Sequence, residues 1–230
     1  MIPNLCRKVI LEGTRLTHKT DVAFALNEHS RFVGRRKYRY HSPIISAEWG
    51  GLENEAWSQS LINFELSNER RAIETFELWI KLMERLPYIS WIIDRFHLST
   101  SMYQQLYHRR TYDLAWLEER LLGLGFRLVL CYREPRTFAK ARKHRLKISG
   151  NPSQYADVER FVREQESLVR LFDGSTLPKL MVNATDDDVS RMTEEIVEWF
   201  APRQAVAGEK TRNWMDLMLT QLRKCYSAYE

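Results

Sequence analysis

A short apolar run, Val9-Ile10-Leu11, leads into Gly13. Four residues separate Gly13 from His18, Lys19-Thr20 follow at once, and Val22, Ala23, Phe24, Ala25 and Leu26 then supply an apolar stripe. No other stretch limits the fold as strongly. The run reads as a strand over residues 7–12, buried on both faces, and the stripe reads as a helix. A strand–turn–helix of this kind belongs to a parallel sheet covered by helices on both sides. The turn has the spacing of a phosphate-binding loop, in which Gly, four residues, Gly, Lys and Ser or Thr succeed one another, except that His18 stands at the second Gly. In such a loop, main-chain N–H groups at the helix N-terminus point at bound phosphates and the helix dipole favours their charge. Gly13, Thr17 and His18 would then belong to the phosphate cradle, Lys19 would reach the terminal phosphates, and the Thr20 hydroxyl would bind Mg²⁺. His rarely adopts the positive φ that Gly supplies, though His18 could donate to a phosphate. An ordinary strand–loop–helix with a chance Lys-Thr would carry the same letters.

The alternation continues along the chain. Lys37-Tyr-Arg-Tyr-His alternates loosely, which predicts a second strand near 37–46. From Glu69 to Leu86 the apolar residues Ile73, Phe76, Trp79, Ile80, Met83 and Leu86 recur at spacings of three and four, an amphipathic helix that Pro87 ends. Tyr88 to Ile93 reads as a strand running into Asp94-Arg95. Helices are expected over 100–109 and 113–122, the latter closed by Gly123 and Gly125. A strand is expected over 126–132, then a basic helix to about Lys147, a break at Ser149-Gly-Asn-Pro-Ser, a long helix over 154–172, a strand at Leu180-Met-Val and a capped helix over 186–200. Residues 202–212 read as a polar linker and 213–228 as a final helix. Ligands in parallel sheets bind beyond the carboxyl ends of the strands, so the residues just after strands matter most.

Two further motifs meet that condition. Asp94-Arg95 at the end of the third strand pairs a carboxylate that can act as a base, or hold Mg²⁺ through water, with a guanidinium that can clamp an acceptor phosphate. An ion pair capping a strand would use the same residues. In the basic helix, Arg142 and Arg145 lie three apart and share a face. They could close over a triphosphate and stabilise charge in the transition state, or simply face water. Tyr40, Trp49, Trp57, Phe64, Tyr103 and Tyr107 include candidates to stack on a base, Trp49 and Tyr103 foremost, although aromatics at helical spacing usually belong to the core. His41, Glu48 and Gln104 are candidates to read a base edge or sugar hydroxyl.

Composition narrows the class without naming the substrate. With 44% apolar and 28% charged residues in 230, the chain has enough apolar material for a core and no run approaching the ~20 residues of a membrane span. The N-terminus lacks the apolar segment of a secretory signal. The three scattered cysteines (Cys6, Cys131, Cys225) suggest neither a disulfide framework nor a zinc site, and a reducing cytoplasm is the expected setting. The net charge of +5 is clustered, with five Lys or Arg in 31–39 and five in 140–147. Such a surface attracts nucleotides, phosphorylated metabolites or nucleic acid. The six His show no paired metal-ligand spacing, and no Gly-x-Ser-x-Gly elbow is present.

In this order, Ile10-Leu-Glu-Gly-Thr-Arg-Leu-Thr-His-Lys-Thr, Trp91-Ile-Ile-Asp-Arg-Phe-His-Leu-Ser-Thr-Ser-Met-Tyr, Leu128-Val-Leu-Cys-Tyr-Arg and Leu180-Met-Val-Asn-Ala-Thr resemble the thymidylate kinase-like branch of P-loop nucleotide and nucleoside kinases. The resemblance extends over most of residues 7–201. It implies the three-layer α/β P-loop NTPase fold, a five-stranded parallel sheet with helices on both faces and a helical lid, here at about 136–155 of a domain covering 1–201. It implies ATP and Mg²⁺ as cofactors. Gly13, Lys19 and Thr20 would hold phosphates and metal, Asp94 would assist metal or acceptor, Arg95 would grip the acceptor, Arg142 and Arg145 would be lid arginines, and Asn183 and Thr185 would lie near the adenine. The family also forms dimers, to which the helix expected at 213–228 could contribute. Two departures stand out. His18 replaces the loop Gly, and Ser46-Ala-Glu-Trp-Gly-Gly occupies the place of the Glu-Pro-Gly-Gly segment that contacts the acceptor in thymidylate kinases.

The expected activity is therefore ATP-dependent phosphoryl transfer to a nucleoside, a nucleoside monophosphate or a related small acceptor. Two alternatives stay open. The same site could phosphorylate a modified base or an end of DNA or RNA, or the chain could be a non-catalytic nucleotide-binding or interaction domain.

Overall fold

The computed structural model describes residues 5–48, 51–52, 59–149 and 151–201. The chain divides into units Met1–Phe200 and Ala201–Glu230, and the fold is that of the first. The linker and helix expected over 202–230, together with Trp49 and Trp57, lie outside the described residues.

Five parallel strands, β1 (Lys8–Glu12), β2 (Ile44–Ile45), β3 (Ile92–Asp94), β4 (Phe126–Tyr132) and β5 (Lys179–Asn183), form one sheet in the order β2-β3-β1-β4-β5. Successive side chains of a strand point to opposite faces, and two separate cores result. Val9, Leu11, Ile92, Val129 and Cys131 pack against α1 (Lys19–Glu28), α2 (Ser30–Val33) and α8 (Val189–Phe200). Ile10, Ile93, Leu128 and Leu130 pack against α3 (Glu69–Arg85), α4 (His97–Tyr103), α5 (Ala115–Gly123) and α7 (Val158–Gly174). The architecture is the expected three-layer sandwich with β1 in the middle. All five residues of β1 are buried, and its centre, Val9-Ile10-Leu11, is the apolar run, bounded by the buried charges of Lys8 and Glu12.

Several boundaries differ from expectation, one for a reason that lies elsewhere in the chain. The second strand shrinks to Ile44–Ile45 because Arg39–His41 forms a 3₁₀ turn. The third shrinks to Ile92–Asp94. The helix expected from Thr100 starts at His97: the buried Glu12 carboxylate, arriving from β1, accepts the amides of Phe96, Leu98 and Ser99 at 3.0–3.2 Å and also the Ser99 hydroxyl. These are orphan donors of a helix N-terminus, satisfied by a distant strand. This helix runs into a π-turn, Gln104–His108, and ends at Arg109 with φ 54°. Pro152–Tyr155 is a separate 3₁₀ turn, and α7 begins only where Asp157 accepts the Arg160 amide at 3.0 Å, an N-cap. The expected helix over 186–200 likewise starts at Val189.

Leu61, Ile62 and Phe64, in a stretch without regular structure, are also core residues. A third, small cluster joins Phe138 at the start of α6 (Phe138–Leu146) to Tyr155 and Phe161, with the loop residue Leu16 packed against it. The basic helix thereby sits over the loop that follows β1.

Candidate phosphoryl-transfer site

The register places Leu11 opposite Asp94 and Glu12 opposite Leu130. The loop after β1 and Asp94-Arg95 after β3 therefore leave the sheet at the same level. The chain continues from β1 to one half of the sheet and later crosses to the other, so this is the switch point where a crevice opens.

Gly13 is dictated by space. A Cβ there would lie 2.7 Å from Thr17 Oγ1 and 2.8 Å from the Cys131 carbonyl oxygen. The loop beyond it is wound by two left-handed residues, Leu16 (φ 69°) and His18 (φ 57°). The Thr17 hydroxyl donates to the Thr14 carbonyl at 2.8 Å. From behind, the fully buried Arg133 donates through Nε to the Leu16 carbonyl at 2.7 Å and pairs with Asp187. No amide from Leu16 to Thr20 has a hydrogen-bond partner among the described residues. These donors sit at the positive end of α1 and face a cavity of about 330 Å³, the arrangement that binds anions.

His18 occupies the left-handed conformation that glycine takes at no steric cost, and its side chain is tied at both ends. Nδ1 lies 2.9 Å from Asp21 Oδ2 and Nε2 lies 3.0 Å from Asp187 Oδ1. Both contacts are hydrogen bonds only when both ring nitrogens carry protons. Asp21 first, and then Asp187, raise the imidazole pKa against the effect of burial. The residue that departs from the motif thus links the loop to the β5–α8 turn.

At the floor of the cavity the Lys19 ammonium lies 3.8 Å from Asp94 Oδ1, and the Thr20 hydroxyl donates to Asp94 Oδ2 at 2.5 Å. Asp94 Oδ1 is buried without a hydrogen-bond partner. A hydroxyl beside a carboxylate with a spare oxygen suits Mg²⁺, which needs only one or two protein ligands when phosphates supply others. No group of three or more His, Cys, Asp or Glu able to hold a metal occurs among the described residues.

A second cavity, about 270 Å³, is lined by Ser60, Asn63, Arg95, Tyr103, Arg160 and Glu164 among others. Arg15 and Glu48 line both cavities, so the two meet there. Arg95 is aimed by another left-handed residue, its own backbone (φ 65°), held by Arg95 N–H donating to the Leu11 carbonyl at 2.9 Å and by its carbonyl accepting from Ala47 at 3.1 Å. Its guanidinium pairs with Glu48 at 2.7 Å. Burial alone would lower the Arg95 pKa, but Glu48 and neighbouring carboxylates outweigh it and raise it. Arg95 in turn holds the Glu48 carboxyl at about 2. The Arg15 side chain has no ion pair or hydrogen bond among the described residues; burial, and then Arg95 nearby, lower its pKa. It is the cation of this site most in need of an anion.

Of the residues singled out in the sequence, Thr17, His18, Lys19, Thr20, Arg95, Tyr103 and Arg145 line the two cavities, while Asp94 touches Lys19 and Thr20. Arg142 lines neither; its Nε donates to the Tyr155 carbonyl at 2.6 Å, whereas Arg145 donates to the Tyr155 hydroxyl at 3.2 Å. Asn183 and Thr185 close the β5–α8 turn, Asn183 Oδ1 accepting the Thr185 amide at 2.9 Å and Thr185 Oγ1 the Glu134 amide at 3.0 Å. Phe64 is core, and Gln104 is buried, donating to the Ile62 and Phe64 carbonyls. His41 precedes β2, at the opposite end of the sheet. Arg15, Tyr155, Arg160, Glu164 and Asp187 went unread. Arg160 and Glu164 form an (i, i+4) pair at 2.8 Å, the sequence pattern of a solvated helix face. Only the fold brings the pair to the cavity, with Glu164 buried and Arg160 at its exposed rim.

No family model matches the chain, and no curated protein matches it in sequence. Solved structures do match in fold. A YorR protein from Bacillus subtilis, crystallised in complex with phosphorylated GDP, is 18% identical, with a TM-score of 0.58 over 84% of this chain and 94% of that one. A thymidylate kinase from Ehrlichia chaffeensis is 16% identical, with a TM-score of 0.52 over 85% of this chain and 98% of that one. The fold is that of the P-loop kinases, as the motifs implied.

Proposed function

We propose that this protein transfers the terminal phosphoryl group of ATP to a nucleoside, a nucleoside monophosphate or a related small acceptor. One observation carries the reading: a cup of unpaired amides backed by Lys19 opens, through Arg15 and Glu48, into a second polar cavity centred on Arg95. Phosphoryl transfer asks for that layout, a seat for a polyphosphate end to end with a seat for an acceptor, lined by cations where charge spreads in the transition state. The thymidylate kinase and the complex with phosphorylated GDP, which share the fold, agree with a nucleotide substrate.

In this reading an acceptor oxygen attacks the γ-phosphorus in line, the new P–O bond forms as the bond to the leaving diphosphate breaks, and Lys19, Arg15 and Arg145 stabilise the charge carried by the transferred group. Mg²⁺ at Thr20 and Asp94 would neutralise phosphate charge. Arg95 positions the acceptor. Glu48, ionised down to about pH 2 beside Arg95, is too weak a base to take a proton and instead accepts a hydrogen bond from an acceptor hydroxyl. Tyr103 supplies an aromatic wall. The lid is α6, which carries Arg145 to the cavity.

The test is ATP consumption against a panel of nucleosides and nucleoside monophosphates, beside Lys19→Ala. Acceptor-dependent turnover that collapses in the variant is expected. Turnover equal in both proteins on every acceptor would overturn the reading. Calorimetry with Mg-ATP separates catalysis from simple nucleotide binding: tight binding without transfer to any acceptor would make the domain a sensor.

A further inference from the structure

Away from this site, the segment between α2 and β2 reads Gly34-Arg-Arg-Lys-Tyr-Arg-Tyr-His-Ser42. It precedes β2 in a parallel sheet, with the His41 and Pro43 carbonyls accepting the amides of Ser90 and Ile92 at 3.2 Å each, just before and within β3. It therefore lies at the amino ends of the strands, opposite the phosphate cavity. Nothing in the proposed reaction uses it.

The segment is anchored from within and presents its cations and rings outward. The Arg36 guanidinium turns inward, donating to Asn27 Oδ1 at 2.9 Å and to Ser42 Oγ, and pairing with Glu28 at 3.3 Å. Asn27 also donates to the Ser42 carbonyl. The Arg39–His41 3₁₀ turn brings Tyr38 and Tyr40 together, their rings 5.0 Å apart and 20° from parallel. The rings are nonetheless 46% and 65% exposed. A buried aromatic contributes 150–250 Å² of removed surface, roughly; here two are left in water, stacked and flanked by charge. Lys37 Nζ lies 5.0 Å over the Tyr38 ring. Arg35, Lys37 and Arg39 are exposed, and of these only Arg39 has a carboxylate, Glu28, within ion-pair distance at 3.2 Å among the described residues.

We propose that this surface binds single-stranded nucleic acid, with bases stacking on the Tyr38–Tyr40 pair and backbone phosphates on Arg35, Lys37 and Arg39. Each ring has one face on the other and His41 tilted or edge-on beside it, at 6.0 Å from Tyr38 and 4.6 Å from Tyr40; the aromatic surface the pair leaves in water, with cations at alternate positions, suits a chain that alternates bases with phosphates. A duplex hides its base faces and would find only the charges. An anionic bilayer would also be drawn to the charge, but the segment has no aliphatic side chain to enter the acyl region. The proposal does not rest on the phosphoryl-transfer reading, and either can fail alone.

The experiment measures fluorescence anisotropy of labelled twelve-residue oligothymidylate and oligouridylate with the full chain, between 50 and 200 mM salt. Three phosphate contacts predict a log–log salt slope of about −2, so that affinity falls roughly 15-fold over that range. Tyr38→Ala/Tyr40→Ala should weaken binding roughly tenfold or more, and Arg35→Glu/Lys37→Glu should flatten the salt slope. All four side chains are on the surface, and circular dichroism and an unchanged thermal unfolding midpoint would confirm intact folds. Absence of binding at 50 mM salt overturns the proposal. So does binding that both double variants retain, which would place the nucleic acid elsewhere, or preferential binding to phosphatidylserine vesicles, which would make the surface a membrane contact.

Discussion

The two halves of the site are made in opposite ways. The main-chain donors of the proposed phosphate half come from consecutive residues within Gly13 to Thr20, shaped by close contacts at Gly13 and two left-handed residues, Leu16 and His18. The acceptor half draws Glu48, Ser60, Arg95, Tyr103, Arg160 and Glu164 from four distant segments. A cradle for a common phosphate tail can be a local motif because its donors are main-chain amides, which any sequence with the right turns provides. A seat for a particular acceptor needs side chains of chosen charge facing one another across a gap, and only packing of separate elements supplies that. The same contrast explains why the proposed phosphate cradle can be read from a short motif and the acceptor cannot.

The sharpest way to break this contrast is at Lys19. Lys19→Ala should lower kcat by about 10²–10³ on every acceptor, read by single-turnover transfer; a loss confined to one acceptor would mean that the phosphate half also selects substrates. Arg15 tests the seam. Removing a charge-assisted contact worth about 1.5–3 kcal/mol in Arg15→Ala should lower kcat/KM for the acceptor by roughly 10- to 100-fold. If instead only the ATP KM moves, Arg15 belongs wholly to the phosphate half.

Glu118 separates scaffold from site. Its carboxylate joins three elements, accepting from Ser175 at 2.6 Å and Thr176 at 2.9 Å and lying 3.0 Å from the buried His97. Burial would raise its pKa, but these bonds outweigh it and hold it at about 2. The native pKa is thus below the unfolded one, so the stabilisation is complete above about pH 4.5 and is lost as pH falls toward 2. Glu118→Ala should destabilise the fold by about 1–3 kcal/mol and remove that part of the acid sensitivity, measured by urea unfolding at pH 7 and pH 3. Both KM values should stay unchanged.

The smallest effect concerns His18. His18→Gly restores the conformational freedom of the usual motif but cuts the ties to Asp21 and Asp187, whereas His18→Ala cuts the same ties and keeps the left-handed strain of about 1 kcal/mol. Urea unfolding should therefore find the Gly variant more stable than the Ala variant by about 1 kcal/mol. Equal stabilities would show that the backbone at position 18 imposes no strain.

Much of the fold was legible because its signals are short-range. The apolar runs of β1 and β4 announced a buried parallel sheet, and the spacing of Phe76, Ile80 and Met83 announced α3. One boundary error traces to a partner far away in sequence, Glu12, which starts α4; another is local, the 3₁₀ turn at Arg39 that shortens β2. Arg142 and Arg145 looked equivalent because helical spacing says which residues share a face but not what lies opposite. Tyr155 takes the Arg142 Nε–H through its carbonyl and leaves Arg145 to line the cavity.

The amino-acid order alone determined the strand–loop–helix, the loop proposed to hold phosphates and the covered parallel sheet, since each depends on neighbours within a few residues whose spacing the covalent chain enforces. The tertiary structure decided how a histidine sits at a glycine position, which arginines reach the crevice and what surrounds the acceptor. Those outcomes depend on contacts such as His18 with Asp187 and Arg95 with Glu48, which exist only once the sheet has brought distant loops to the same edge.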